Sequence, residues 1–284
     1  MAGRIYRTQI GGVRVTALQD TWTRIQAARM VLPDIPADFT PYRHLLAADG
    51  TIELSIHAFL LESEGRRILV DTCLADQTMP RSELGLTPCL PDTLAEAGVA
   101  LDGIDTVVHT HLHFDHVGWN TREAGGRRVP TFPRAQHLVQ RIDWEFWSTT
   151  DRPHGADFPR HLRPLEAAGM LAFVEADEEE HRLTSEVAVI PARGHTPGHQ
   201  AVRIASGGAG GIIIGDACHI PMQACELHWS SGADVDPTQA AETRARLFQR
   251  SEDEGALILS GHFPFPGIGR RVTRDGRRMY EPVA

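Results

Sequence analysis

The chain has 284 residues, with 28 Lys and Arg against 37 Asp and Glu for a formal net charge of −9, and 42% of it is hydrophobic. That acidic balance argues against a nucleic-acid partner, since phosphate contacts need a basic face, and no stretch approaches 18 uninterrupted apolar residues, which argues against a membrane span. Cys73, Cys89, Cys218 and Cys225 form no Cys-x-x-Cys pair and are too few for a disulfide framework in a chain this long, so reduced thiols are expected.

The amino terminus Met1-Ala2-Gly3-Arg4-Ile5 has no apolar run behind its charge, so a cytoplasmic protein of bacterial type is the expectation. Layered α/β folds of this length are often single, and 1–284 is read as one domain. Residues 13–18, 57–61 and 67–70 read as strands, with Glu64-Gly65 as a hairpin turn. Between the first two, 20–51 is longer than a simple loop and carries Pro33, Pro36 and Pro41; it is a candidate lid or dimer contact. A short amphipathic helix at 92–97 is stopped by Gly98, and a strand at 106–109 follows.

After a strand at 136–139, a helix at 141–147 carries Ile142, Trp144 and Phe146. Such a stripe is usually core, with Trp144 or Trp147 reaching a substrate pocket as the alternative. The acidic run 175–180 reads as a solvated loop. Strands are expected at 187–190, 201–204 and 211–214. Asp236-Pro237-Thr238-Gln239 combines an N-cap, a proline at the first helical position and a capping-box glutamine, so a helix should run to about Asp253 before Gly255 stops it. A strand at 257–259 follows. The arginines Arg270, Arg271, Arg274, Arg277 and Arg278 flank the turn signal Asp275-Gly276 and read as a solvated terminal hairpin.

The densest chemistry lies in Thr110-His111-Leu112-His113-Phe114-Asp115-His116-Val117-Gly118. In an extended segment His111 and His113, two apart, point to one side, so one metal can take both. Asp115 and His116 are adjacent, and a turn can present them to a second metal. Imidazole with carboxylate and water suits zinc. A histidine-rich surface accident is the alternative. Against it stand Gly194-His195-Thr196-Pro197-Gly198-His199, Gly215-Asp216 and Gly261-His262, each where a strand ends. Such positions gather at one rim of a sheet, where sites are built from loops.

This ordered set resembles the metallo-β-lactamase superfamily, and within it the acyl-homoserine lactonase branch, over most of the chain. The resemblance implies a four-layer αββα sandwich with two mixed sheets and outer helices. It implies two Zn2+ per chain, other divalent metals being possible, held by His111, His113, Asp115, His116, His195, Asp216 and His262, with Asp216 bridging. His199 is then a hydrogen-bonding support. Ile68-Leu69-Val70-Asp71-Thr72 resembles the family's strand ending in Asp-Thr, whose aspartate orients a ligand histidine; Cys73 stands where that motif usually has glycine. His219 occupies the place of a tyrosine that assists the substrate carbonyl, and Trp119 follows Gly118 where lactonases often have a second glycine. An indole there would line or narrow the pocket mouth.

The implied function is a dinuclear zinc hydrolase opening a lactone or related cyclic ester with a metal-bridging hydroxide. Asp115 and His219 are the catalytic candidates, Asp115 orienting the nucleophile and moving its proton and His219 stabilising the oxyanion. Phe114, Trp119, Met222, Phe263 and Phe265 are candidate pocket residues, with core packing the alternative for at least half of them. An aryl-ester or phosphotriester hydrolase is the second reading, and an iron-dependent redox enzyme of the same fold the third. The partner is a small molecule, with neither nucleic acid nor membrane, and the resemblance alone allows a homodimer.

Overall fold

The computed structural model describes residues 3–75, 86–150, 152–175 and 179–283. In chain order the strands are β1 (Ile5–Ile10), β2 (Val13–Gln26), β3 (Thr51–Ser63), β4 (Arg66–Val70), β5 (Thr106–Val108), β6 (Thr121–Ala124), β7 (Arg127–Pro130), β8 (Gln136–Gln140), β9 (Leu171–Val174), β10 (His181–Arg182), β11 (Val187–Pro191), β12 (Gln200–Ser206), β13 (Ala209–Ile213), β14 (Leu257–Leu259), β15 (Ile268–Arg274) and β16 (Arg277–Pro282). Two seven-stranded sheets run β1-β2-β3-β4-β5-β8-β9 and β10-β11-β12-β13-β14-β15-β16, and β6 with β7 forms a separate hairpin. Both large sheets are mixed: β4, β5, β8 and β9 pair in parallel, as do β13 and β14, while the remaining neighbours are antiparallel.

The sequence explains this layering. Ile68-Leu69-Val70 and Val107-Val108 are apolar without alternation because the parallel strands are covered on both faces. Between the sheets Val15, Phe59, Leu61, Ile68 and Val70 meet Val187, Val189, Val202, Ile204 and Ile213. On the outer face of the first sheet, Leu60, Leu69 and Val107 pack on Leu90 and Leu94 of the helix Leu90–Glu96. On the outer face of the second, Ile190, Ile212 and Ile258 pack on Leu247 and Phe248 of the helix Pro237–Asp253. This is the four-layer α/β arrangement the sequence leads one to expect. Asp236 caps the long helix by accepting from Gln239 N at 2.9 Å, and Gly255 ends it with φ +60°.

Several elements differ from expectation. β2 runs to Gln26 and β3 starts at Thr51, so the opening of the 20–51 segment is strand, hidden in the sequence by its polar residues. The remainder forms 3-10 turns at Ala27–Met30 and Thr40–Leu45, whose Ala27, Val31 and Tyr42 pack on Ile220, Met222 and Trp229. The β6–β7 hairpin turns at Gly125-Gly126, both left-handed, a signal passed over in the sequence. The terminal hairpin turns at Asp275-Gly276 as expected, but Arg271 is not solvated. Its side chain is 5% exposed, pairs with Glu252 at 2.8 Å and covers the Phe248 ring at 5.1 Å. Of the acidic run, Glu175 pairs with exposed Arg141 and Glu180 with Arg182, while 176–178 lie outside the described residues. All four cysteines are free, and no helix among the described residues is long and apolar enough to cross a membrane.

Candidate metal centre

Loops leaving the ends of β4, β5, β11, β13 and β14 carry Asp71, His111 to His116, His195, Asp216 and His262, and the sheet order brings them together. Ligand atoms of His111, His113, His195 and Asp216 lie within 4.8 Å of one another, as do those of Asp115, His116 and His262. After the extended His113, a short helix, Phe114–Val117, turns Asp115 and His116 away from the first pair. The carboxylate of Asp216 stands between the two groups. Its Oδ1 is 3.2 Å from Nε2 of both His116 and His262, and its Oδ2 is 3.4 Å from Nε2 of His195 and 3.7 Å from that of His111.

The hydrogen bonds behind these rings leave the inward nitrogens bare in the neutral imidazoles. His116 Nδ1 donates to Asp71 Oδ2 at 2.9 Å, His262 Nδ1 to Ser55 O at 3.0 Å, and His195 Nδ1 to Asp234 Oδ1 at 2.8 Å. Nε2 of His116 and Nε2 of His262 then face each other at 3.3 Å. Nε2 of His195 likewise faces Nδ1 of His113 at 3.0 Å. Lone pairs this close require a cation or a proton between them. Nε2 of His111 and Oδ1 of Asp216 are buried with no hydrogen-bond partner, an arrangement that costs about 1–3 kcal/mol per group unless something binds there. The donor set therefore fits metal ions, one for each group.

The electrostatics agree. Burial, with neighbouring imidazoles, holds His111 and His113 well below the usual histidine range, in the ligating form. Burial opposes charge on His116 and His262 too, but the carboxylates of Asp216, Asp71 and Asp115 raise His116, and those of Asp216 and Asp115 raise His262 to about 9. Asp216 is desolvated, yet His116, His262, His219 and His111 hold its carboxyl well below the usual range. The pocket thus favours positive charge beside Asp216.

Supporting contacts fix these groups. Asp71 also accepts from Thr110 N and Oγ1, both at 2.8 Å, and has φ +63°. Cys73 adopts φ +52°, the left-handed conformation that a glycine would take more cheaply. A Cβ on Gly118 would stand 2.2 Å from Leu74 O, so only glycine fits that crossing. His199 Nδ1 donates to Ala192 O at 2.7 Å while its Nε2 accepts from Asp216 N at 3.0 Å, which orients the Asp216 backbone. Burial lowers the His199 pKa to about 4, compatible with that accepting nitrogen.

The sequence reading missed several contacts. Asp234, which holds His195, itself accepts from Ser231 N and lies 3.6 Å from the fully buried Arg244, which donates to Ala217 O at 3.2 Å beside Asp216. Asp143 accepts from Leu112 N at 3.0 Å and Gly198 N at 2.8 Å, joining the two histidine loops, and its burial raises its pKa to about 6. No motif marks either aspartate.

His219 lies in the cluster, with Nε2 3.2 Å from Asp216 Oδ2, its ring stacked on His262 at 5.7 Å and its Nδ1 without a partner. The expected pocket residues fare differently. Phe114 is half-buried next to the cluster. Met222 and Phe263 have no exposed surface and belong to cores beneath the 27–45 segment and the second sheet, so neither can line a mouth. Phe265 packs edge-on against His57 and under Arg4. Trp119 turns away from the histidines: its indole N–H donates to Asp20 at 2.8 Å, and its ring lines a separate cavity of about 400 Å³ with Cys89, Leu101 and Arg122. Trp147 instead packs on His113, ring centroids 4.9 Å apart, while Trp144 joins Phe158 and Phe173 in the core.

The sequence profile of the family described as "Metallo-beta-lactamase superfamily" matches residues 51–262. "N-acyl homoserine lactonase AttM" of Azorhizobium caulinodans is 26% identical over 178 residues, 59% of this chain and 61% of that protein, so the chain spans about three-fifths of that relative. "N-acyl homoserine lactonase AiiA" of Bacillus thuringiensis subsp. kurstaki is 23% identical over 239 residues, 79% of this chain and 88% of that protein. Among solved structures, AidC, described as a dizinc quorum-quenching lactonase in complex with a product, superposes with a TM-score of 0.81 at 21% identity, covering 99% of this chain and 98% of that one.

Proposed function

The chain belongs to the metallo-β-lactamase superfamily, and on that premise we propose that it is a dinuclear metal-dependent hydrolase that opens a lactone or related cyclic ester. The observation that carries this reading is the Asp216 carboxylate, set between two groups of ligand atoms with one oxygen toward each. The names of the relatives, N-acyl homoserine lactonases, support the choice of a cyclic ester.

In this reading His111, His113 and His195 would hold one ion and Asp115, His116 and His262 the other, with Asp216 available to each; zinc suits the imidazole-rich set. Two such ions supply Lewis acidity toward a carbonyl oxygen and lower the pKa of water. The chain's own groups do the rest. Asp115, 18% exposed and the most open carboxylate of the cluster, orients the attacking water, takes its proton and delivers it to the departing alkoxide. His219, whose Nε2 faces the cluster 3.2 Å from Asp216 Oδ2, donates from that nitrogen to the carbonyl oxygen as negative charge gathers there. Asp71, His199 and Asp234 keep the ligand groups in one tautomer and one direction. The 3-10 turns of the 27–45 segment lie behind Ile220 and Met222, backing the loop that presents His219. A lid or dimer contact through that segment is part of the same proposal.

The test is proton release by zinc-loaded protein against γ- and δ-lactones, acyl-homoserine lactones, aryl esters and phosphotriesters, with His113→Ala alongside. Lactone opening that His113→Ala abolishes is expected. Turnover restricted to aryl esters or phosphotriesters would overturn the lactone assignment.

A further inference from the structure

One wall of the histidine cluster comes from the loop after the helix Arg141–Trp147. Against the ring of His113 stand His195 at 4.7 Å, Trp147 at 4.9 Å and His154 at 5.8 Å between centroids. His113, His195 and Trp147 are buried. His154 is exposed, so it is the ring on this wall that an entering molecule meets. It also lies nearly parallel to Phe114, at 6.3 Å and 22°.

The backbone fixes that imidazole in place. Residues 154–156 run antiparallel to 112–114: Phe114 N donates to His154 O at 3.0 Å, Ala156 N donates to Leu112 O at 3.1 Å, and His113 pairs with Gly155. The loop is thus stitched to the segment that carries His113. A Cβ on Gly155 would stand 2.7 Å from the Trp147 ring, so only glycine lets the stitch close against the indole. His154 pays for this with φ +73°, a left-handed conformation unusual for a residue with a side chain. A strained, exposed side chain held rigidly beside a candidate metal ligand is placed to meet a substrate.

An imidazole both donates and accepts hydrogen bonds, as an amide group requires. We infer that His154 is a specificity-determining residue, hydrogen-bonding an amide borne on the ring carbon next to the carbonyl of a lactone. This rests on the lactone reading above. His154, exposed and with its ring 5.8 Å from that of His113, is within reach of a substituent on the carbon next to a carbonyl held at the cluster. A lactone without that amide leaves the imidazole to water.

The experiment compares kcat/KM for N-hexanoyl homoserine lactone and for unsubstituted γ-butyrolactone in wild type, His154→Gly and His154→Asn, with zinc content measured in each. Glycine removes the imidazole and accepts the left-handed backbone, so folding is not at risk; asparagine tolerates that backbone and keeps a donor and an acceptor. The ratio of the two kcat/KM values should fall about tenfold in His154→Gly, carried by KM, and recover most of that in His154→Asn, the scale expected for one lost hydrogen bond. A ratio within about twofold of wild type, whether both substrates suffer equally or neither does, overturns the assignment. A wild type that opens neither lactone overturns the lactone reading itself, and this inference with it.

Discussion

Oδ1 of Asp234 lies 2.8 Å from Nδ1 of His195, and the same carboxylate reaches toward Arg244, whose guanidinium holds Ala217 O next to Asp216. A single helix, Pro237–Asp253, thereby supports both the third histidine and the central carboxylate. Replacing Asp234 with alanine frees the His195 ring and leaves Arg244 without its buried counter-charge. Zinc affinity, measured by competition with a chromophoric chelator, should fall about 10–100-fold. Unchanged affinity would mean that His195 needs no such support.

His219 sits 3.2 Å from Asp216 and stacks on His262 without being needed in either group of ligand atoms. His219→Ala should therefore keep its full zinc content while lactone turnover drops on the order of 100-fold. Loss of zinc together with activity would instead make His219 a ligand, and unchanged turnover would remove it from the chemistry.

Gly198 lets the loop of His195 rest on the β8 end of the first sheet. A Cβ there would come within 2.7 Å of both Cβ and N of Asp143 and 2.9 Å of Cβ of Gln140. Gly198→Ala should lower the unfolding free energy by about 1–3 kcal/mol in urea. An undiminished urea midpoint would show that the loop yields without cost.

His57 is 4% exposed, bonded to Ser55 Oγ and Pro266 O, and burial with the nearby His262 lowers its pKa to about 3. The folded protein keeps it neutral, whereas the unfolded chain protonates it below about pH 6.5. Stability must then fall as pH drops from 6.5 toward 3, by roughly 2 kcal/mol at pH 5 from this residue alone. Urea melts of metal-free protein at pH 7 and pH 5 should show this loss shrinking in His57→Gln. Equal losses in both proteins would show that His57 carries no such linkage.

The histidines and aspartates that gather in the two groups were legible because they sit near glycines where apolar strands end, a local pattern that survives without coordinates. Asp143 and Asp234 were not, because each meets its histidine loop only through folding, 55 residues from Gly198 and 39 from His195. The full length of β2 was hidden by Gln19, Asp20 and Thr21, which are buried polar residues; the register shifts between Gln19 and Thr21, and Asp20 turns to accept from Leu74, Cys89, Leu90 and Trp119. Aromatic identity likewise could not separate core from mouth. Phe263 went to the core, Trp119 to Asp20, and Trp147 and His154 to the wall of the site.

Two metal ions, held on either side of Asp216, would make this chain a lactone hydrolase. The most direct measurement is proton release from N-hexanoyl homoserine lactone as zinc is titrated into metal-free protein, with bound zinc counted at each step. Turnover should rise to a plateau as the second zinc per chain binds and be absent in Asp216→Ala. No lactone opening at two bound zinc ions, or full turnover with none, would contradict it.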